Sequence, residues 1–241
     1  MLQKTSGIIL HTTKYSETSL IAKIYTRNFG LQSYIINGVR GKKSKNKAAV
    51  FQPLALVNLI ASNSGKGNLQ RISEITIDQP YTDIPYNIVK SSIAIFLNEV
   101  LYKSIKEDYS DDDLFEFIKS SLLILDLKTD NCSNFHICFL THLSRFLGFY
   151  PQGVYSEFFQ FFDLREGFFT NKLPVHSLYL KPQYSQILDK ILNSNYHELH
   201  MLGIVSFQRK DLLRYLIIYF QLHISTFGEI KSLDILEEVI S

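Results

Sequence analysis

Cysteine is scarce: 241 residues hold two, Cys132 and Cys138. Two cysteines make no disulfide framework of the kind that staples small secreted domains. Both fall in a helical pattern, where a spacing of six places them on different faces, so free thiols are expected. Long apolar runs are missing as well. The most apolar stretch, "LLRYLIIYFQLHI" at 212–224, is interrupted by Arg214 and carries Gln221 and His223. It falls short of the roughly 18 residues that suggest a membrane span, and it reads as a buried or amphipathic helix. The N-terminal segment "MLQKTSGIILHTTKYSE" offers a four-residue apolar run, too short for a signal-peptide core. A cytoplasmic location without membrane contact is the expectation.

Catalytic signatures are also lacking. The chain has no G-x-S-x-G, no G-x-x-x-x-G-K-[ST] and no H-E-x-x-H. "SGKGN" at 64–68 lacks the spacing of a phosphate loop, and His11, His176, His197, His200 and His223 are scattered without a paired base or nucleophile. Cys132, His136, Cys138 and His142 do not have the short Cys-x₂₋₄-Cys spacing of a zinc knuckle. The expectation is a protein that is not an enzyme, with no metal and no cofactor.

What is present supports real cores: hydrophobic residues make up 46% and aromatic residues 13% of the chain. The net charge of +2 conceals an asymmetry. Residues 1–80 carry eleven Lys/Arg against three Asp/Glu, a charge of +8, whereas residues 81–241 carry fourteen against twenty, a charge of −6. A basic front and an acidic back suggest two domains, 1–80 and 81–241, with different partners. Residues 7–78 read as five short strands separated by turn material around Gly30, the Gly38–Gly41 pair and "SNSGKGN". Strand two alternates, with Leu20, Ala22 and Ile24 on one face and Ile21, Lys23, Tyr25 and Arg27 on the other. Five strands in about seventy residues fit a small all-β barrel of the OB-fold type.

"DQPYTDIPYN" at 78–87, with two prolines, reads as a linker. Beyond it the period becomes helical. Ile93, Phe96, Leu97, Val100, Leu101 and Ile105 form one stripe. Ser110 is the expected cap of a second helix whose first turn holds Asp111, Asp112 and Asp113, where the helix dipole favours negative charge. The same placement accounts for the whole acidic run Glu107–Asp113 without a metal or a basic partner. Ser133 is the expected cap of a third helix, and Gly148 followed by Pro151 its stop. Helices are expected again at 183–194, 206–225 and 231–240. Residues 150–182 are the least regular part, read either as short strands or as a small irregular insert, whose Phe158, Phe159, Phe161, Phe162, Phe168 and Phe169 are expected to be mainly core.

The stretch "NGVRGKKSKNKAAVFQPL" at 37–54 packs Arg40, Lys42, Lys43, Lys45 and Lys47 into eight positions. Clustered cations neutralise phosphates additively, and Gly38 and Gly41 allow close backbone approach. With Lys23, Tyr25 and Arg27 on strand two and Tyr34 on strand three, the pattern combines charge for a nucleic-acid backbone with rings for stacking on bases. Two other readings of the barrel stay open, a protein-interaction adaptor and an RNA-binding protein.

The order of "GIILHTTKYSETSLIAKIYTRNFG", "GLQSYIINGVRGKKSK", "LSRFLGFYP", "FDLREGFF" and "GEIKSLDIL" resembles the RecO family of bacterial DNA repair and recombination mediators. The family's marks fall at Tyr15–Glu17, Thr26, Gly30–Leu31 and Asn37–Ser44. The resemblance implies an N-terminal OB-fold and an all-α C-terminal domain. It implies binding of single- and double-stranded DNA, annealing of complementary strands, and cooperation with RecR in loading RecA onto DNA coated by single-strand-binding protein (SSB), the RecF pathway. It also implies that the helical domain holds the acidic tail of SSB, with Arg145 as a candidate contact, and that the protein associates with the nucleoid. Many members bind zinc through four cysteines after the "LGY-P" segment. Here "YPQGVYSEFFQFFDLREGFFTNKLP" has none, so no zinc is expected in this finger-like region.

Overall fold

The computed structural model describes residues 2–37, 49–62, 69–106, 110–129 and 131–240. Five strands come first: β1 (Leu2–Lys14), β2 (Leu20–Thr26), β3 (Gly30–Ile36), β4 (Leu56–Ser62) and β5 (Gln70–Gln79). They pair in the order β1-β2-β3-β5-β4, and β4 returns to β1 from Leu2↔Ser62 to Ile8↔Leu56, which closes the ring. All ladders are antiparallel except β3–β5, which is parallel at Tyr34↔Gln70 and Ile35↔Arg71. Closure removes exposed sheet edges. Leu20, Ala22 and Ile24 of β2 face the interior, as the alternation requires, together with Ile9, Tyr34, Val57 and Leu59. The backbone of β1 approaches its neighbours closely. A Cβ placed on Gly7 would lie 2.6 Å from Ile24 Cγ2 and 3.1 Å from Leu59 Cδ2, so any larger residue displaces these side chains.

The helices follow the sequence pattern closely. In α1 (Ile88–Ser104) the expected stripe of Ile93, Phe96, Leu97, Val100 and Leu101 is buried, and Ile105 just beyond it is buried too. α2 (Asp112–Leu127) is capped by Asp111, whose Oδ1 accepts the Leu114 N–H at 2.9 Å, so the cap is one residue later than Ser110. α3 (Phe135–Phe146) starts after Asn134 with no side-chain cap; the Ser133 N–H instead donates to Asn131 Oδ1 at 2.7 Å. Cys132 precedes this helix, so Cys132 and Cys138 are not two faces of one helix, and both are buried. Gly148, at φ +86°, follows the helix as the stop signal suggests. α4 (Pro182–Leu192), α5 (Ser206–His223) and α6 (Leu233–Val239) complete the chain.

Two compact units result. One holds residues 1–83 with 97–123; the other holds 84–96 with 124–241. The first segment ends at residue 83, between β5 and α1. Residues 97–123, however, belong with the barrel, so α1 and α2 are each divided between the units.

The insert forms short strands. β6 (Phe161–Asp163), β7 (Phe168–Thr170) and β8 (Tyr179–Leu180) form an antiparallel sheet in the order β7-β6-β8, so the C-terminal region is helical but not all-α. Pairing of Phe162 with Phe169 puts these two on one buried face, and Phe162 packs on Tyr219 of α5 with ring centroids 5.7 Å apart. The opposite parity leaves Phe168 exposed, and Phe158 and Phe159 are exposed before the sheet begins. Only part of the phenylalanine set is therefore core. Among the described residues, no group of three His, Cys, Asp or Glu side chains is placed to hold a metal. No described helix is long and apolar enough to cross a membrane.

Candidate nucleic-acid interface

Arg40, Lys42, Lys43, Lys45 and Lys47 lie outside the described residues. β3 ends at Ile36 on one side of the basic segment, and a 3-10 turn, Ala49–Phe51, lies on the other. Ile36, Val50 and Phe51 are all buried in the barrel core. The basic segment is thus bracketed by two anchors in the barrel.

The strand residues expected to join it are placed differently. Tyr34 is 2% exposed and sits inside the barrel opposite Ala22. Directly paired residues in an antiparallel ladder share a face, and Ala22 faces inward. Burial pushes the Tyr34 hydroxyl up to about 12. Tyr25 faces outward but is 0% exposed, because α2 covers it. Its ring lies 6.1 Å from that of Phe115, and its hydroxyl donates to the Asp111 carbonyl at 3.3 Å. Neither tyrosine offers a ring face for a base to stack on, and their stacking role is withdrawn.

Lys23 and Arg27 remain near the surface, each beside a helix. Lys23 Nζ lies 5.7 Å from the Tyr102 ring of α1. Arg27 is held by α2: Nε donates to Asp112 Oδ1 at 2.9 Å, Nη2 to Asp112 Oδ2 at 3.3 Å, and Nη1 contacts Glu116 Oε1 at 2.8 Å. These carboxylates, Asp112 first, raise the Arg27 pKa further. Three more contacts fix this cover. His11 stacks on Tyr102 at 4.9 Å, the Asn98 side chain donates to the Leu10 carbonyl at 3.0 Å, and Lys119 Nζ pairs with Asp78 of β5 at 2.7 Å. Sequence reasoning takes Asp112 only as a helix-terminal charge. The signal it misses is the i,i+4 spacing of Asp112 and Glu116, which places two carboxylates on one helix face.

In the other unit, Arg145 is exposed in the last turn of α3, with its guanidinium 4.4 Å from the Tyr150 ring. His142 nearby has its pKa lowered, chiefly by burial, although a hydrogen bond with the Ser194 carbonyl opposes the shift.

The model of the recombination protein O N-terminal region matches residues 1–81, and that of its C-terminal region matches residues 85–234. The chain belongs to the recombination protein O (RecO) family. Among its relatives is the DNA repair protein RecO of Phocaeicola vulgatus, 38% identical over 241 residues and 100% of both chains. The RecO proteins of Bacteroides fragilis and Flavobacterium psychrophilum are 39% and 37% identical, each comparison covering 99% of both chains. The two RecO regions meet at residues 81–85, next to the end of the barrel unit's first segment at 83.

Proposed function

We propose that this protein is a DNA repair and recombination mediator. It binds single- and double-stranded DNA on an OB-fold barrel and anneals complementary strands. With RecR it helps load RecA onto SSB-coated single-stranded DNA in the RecF pathway. The observation that carries the reading is the cluster of five cations bracketed by the barrel-anchored residues Ile36 and Val50. Family membership over both halves of the chain supports it.

The mechanism needs no bond chemistry. Bringing two DNA strands together concentrates phosphate charge, and a protein that binds both screens their repulsion while releasing counterions. Arg40, Lys42, Lys43, Lys45 and Lys47 serve as the phosphate contacts, with Lys23 at the barrel's side. With Tyr25 and Tyr34 buried, binding rests on the phosphate backbone and carries little base preference. The acidic helical half holds protein partners, and the exposed Arg145 is the candidate contact for the acidic SSB tail. A DNA-bound mediator of this kind acts in the cytoplasm, at the nucleoid.

Fluorescence anisotropy with labelled single-stranded DNA over a salt series tests the reading. Wild type is expected to bind with affinity that falls steeply with salt. Changing Arg40, Lys42, Lys43, Lys45 and Lys47 together to Gln is expected to abolish most binding. The slope of log K against log salt is expected to shrink by about 0.7 for each phosphate left without its cation. Salt-insensitive or absent wild-type binding returns the protein to the adaptor reading, and a preference for RNA of equal sequence to the RNA-binding one.

A further inference from the structure

We infer that Asp112 and Glu116 of α2 set the affinity of the barrel for DNA by occupying Arg27, which phosphate engages only when it displaces them. This inference rests on the proposed function and adds a determinant at the β2–β3 turn, the end of that hairpin away from Ile36.

Arginine presents a rigid fork of donors whose geometry suits carboxylate and phosphate alike. Here Nε and Nη2 are both directed at Asp112, and Nη1 at Glu116, so three of the fork's nitrogens are engaged. Carboxylates one helical turn apart thus stand where phosphate oxygens would. The contact is open to exchange. The side chains of Arg27, Asp112 and Glu116 are 40%, 67% and 48% exposed, and exposed ion pairs are weak and screened by salt. A DNA strand reaching Arg27 supplies a far higher local density of negative charge.

The ion pairs are not what seats the helix. Packing of Phe115 on Tyr25, the Tyr25 hydroxyl on the Asp111 carbonyl, and the Lys119–Asp78 pair already fix α2 to the barrel. The remaining effect of Asp112 and Glu116 is on the charge that Arg27 presents. Asp113 supplies an internal control: it shares the first turn of α2 and the same interaction with the helix dipole, but it is not a partner of Arg27.

The test is a mutant cycle in the full-length protein, read by anisotropy with single-stranded DNA across a salt series. D112N/E116Q is expected to tighten binding roughly 3- to 10-fold and to steepen the salt slope by about one released counterion. R27Q alone is expected to leave affinity near wild type, and R27Q added to D112N/E116Q to cancel the gain. D113N is expected to change affinity less than D112N. A gain that survives R27Q, or an equal gain from D113N, overturns the inference by reducing the effect to net charge. E116Q alone leaves the first turn of α2 intact and serves as the test if the double variant melts early. Wild type that binds and loses binding with the neutralised basic segment, combined with a flat cycle, overturns this inference alone. Wild type without salt-dependent binding overturns the proposed function and this inference with it.

Discussion

His136 of α3 is fully buried, and neither of its ring nitrogens has a hydrogen-bond partner. The ring instead makes an edge contact with Phe96, with centroids 6.0 Å apart. Burial, with a smaller repulsion from Arg209, pushes its pKa down to about 3. The folded state therefore holds it neutral, while the unfolded chain takes up a proton near the ordinary value of 6.5. Its contribution to stability is fully present above pH 6.5 and is lost as pH falls towards 3, with a slope of up to about 1.4 kcal/mol per pH unit. Thermal melts between pH 7 and 4 are expected to show a shallower decline for His136→Phe than for wild type; parallel declines would refute this. The sequence places His136 in a helical pattern, but its complete burial depends on what packs over it. Tyr34 shows the same limit. Its parity relative to Ala22 is set by the register across the β2–β3 turn, which a single strand's alternation does not contain.

Strands and helices are legible because period-two and period-3.6 patterns are local properties of the chain. β2's alternation, the α1 stripe and the stop at Gly148 can all be read from sequence. The differences arise where neighbours settle the choice. Asp111 and Ser110 are both good caps, and the path of the chain into α2 selects Asp111. Tyr25 does lie on the outward face of β2, but outward is not exposed when a helix lies over the strand. The phenylalanines of 150–182 show no clear period because their strands are two or three residues long. Close packing of elements also yields a direct test at Gly7. In Gly7→Ala the new methyl collides with the side chains of Ile24 from β2 and Leu59 from β4, which must give way. A loss of about 1–3 kcal/mol is expected in denaturant unfolding. An unchanged midpoint would mean that the barrel yields there freely.

At the scale of the molecule, the charge asymmetry and the change of period locate the end of the barrel's strands. They do not reveal that the barrel unit also draws on residues 97–123. Contacts such as Asn98 with Leu10 and Arg27 with Asp112 join residues 88 and 85 positions apart, beyond the reach of any local pattern. A fragment ending at residue 83 lacks the helical contacts made to Tyr25 and Leu10, both buried in the intact chain. It is expected to expose that apolar face and aggregate, while a fragment ending at 123 is expected to unfold cooperatively, as followed by circular dichroism. Equal behaviour of the two fragments would refute the division of the helices between units. The long-range pairing also bears on inheritance. A single crossover between two genes of this family, with its junction anywhere from codon 28 to codon 111, takes Arg27 from one parent and Asp112 with Glu116 from the other. Offspring of such an exchange keep the arginine matched to its carboxylates only when both parents carry the same pairing.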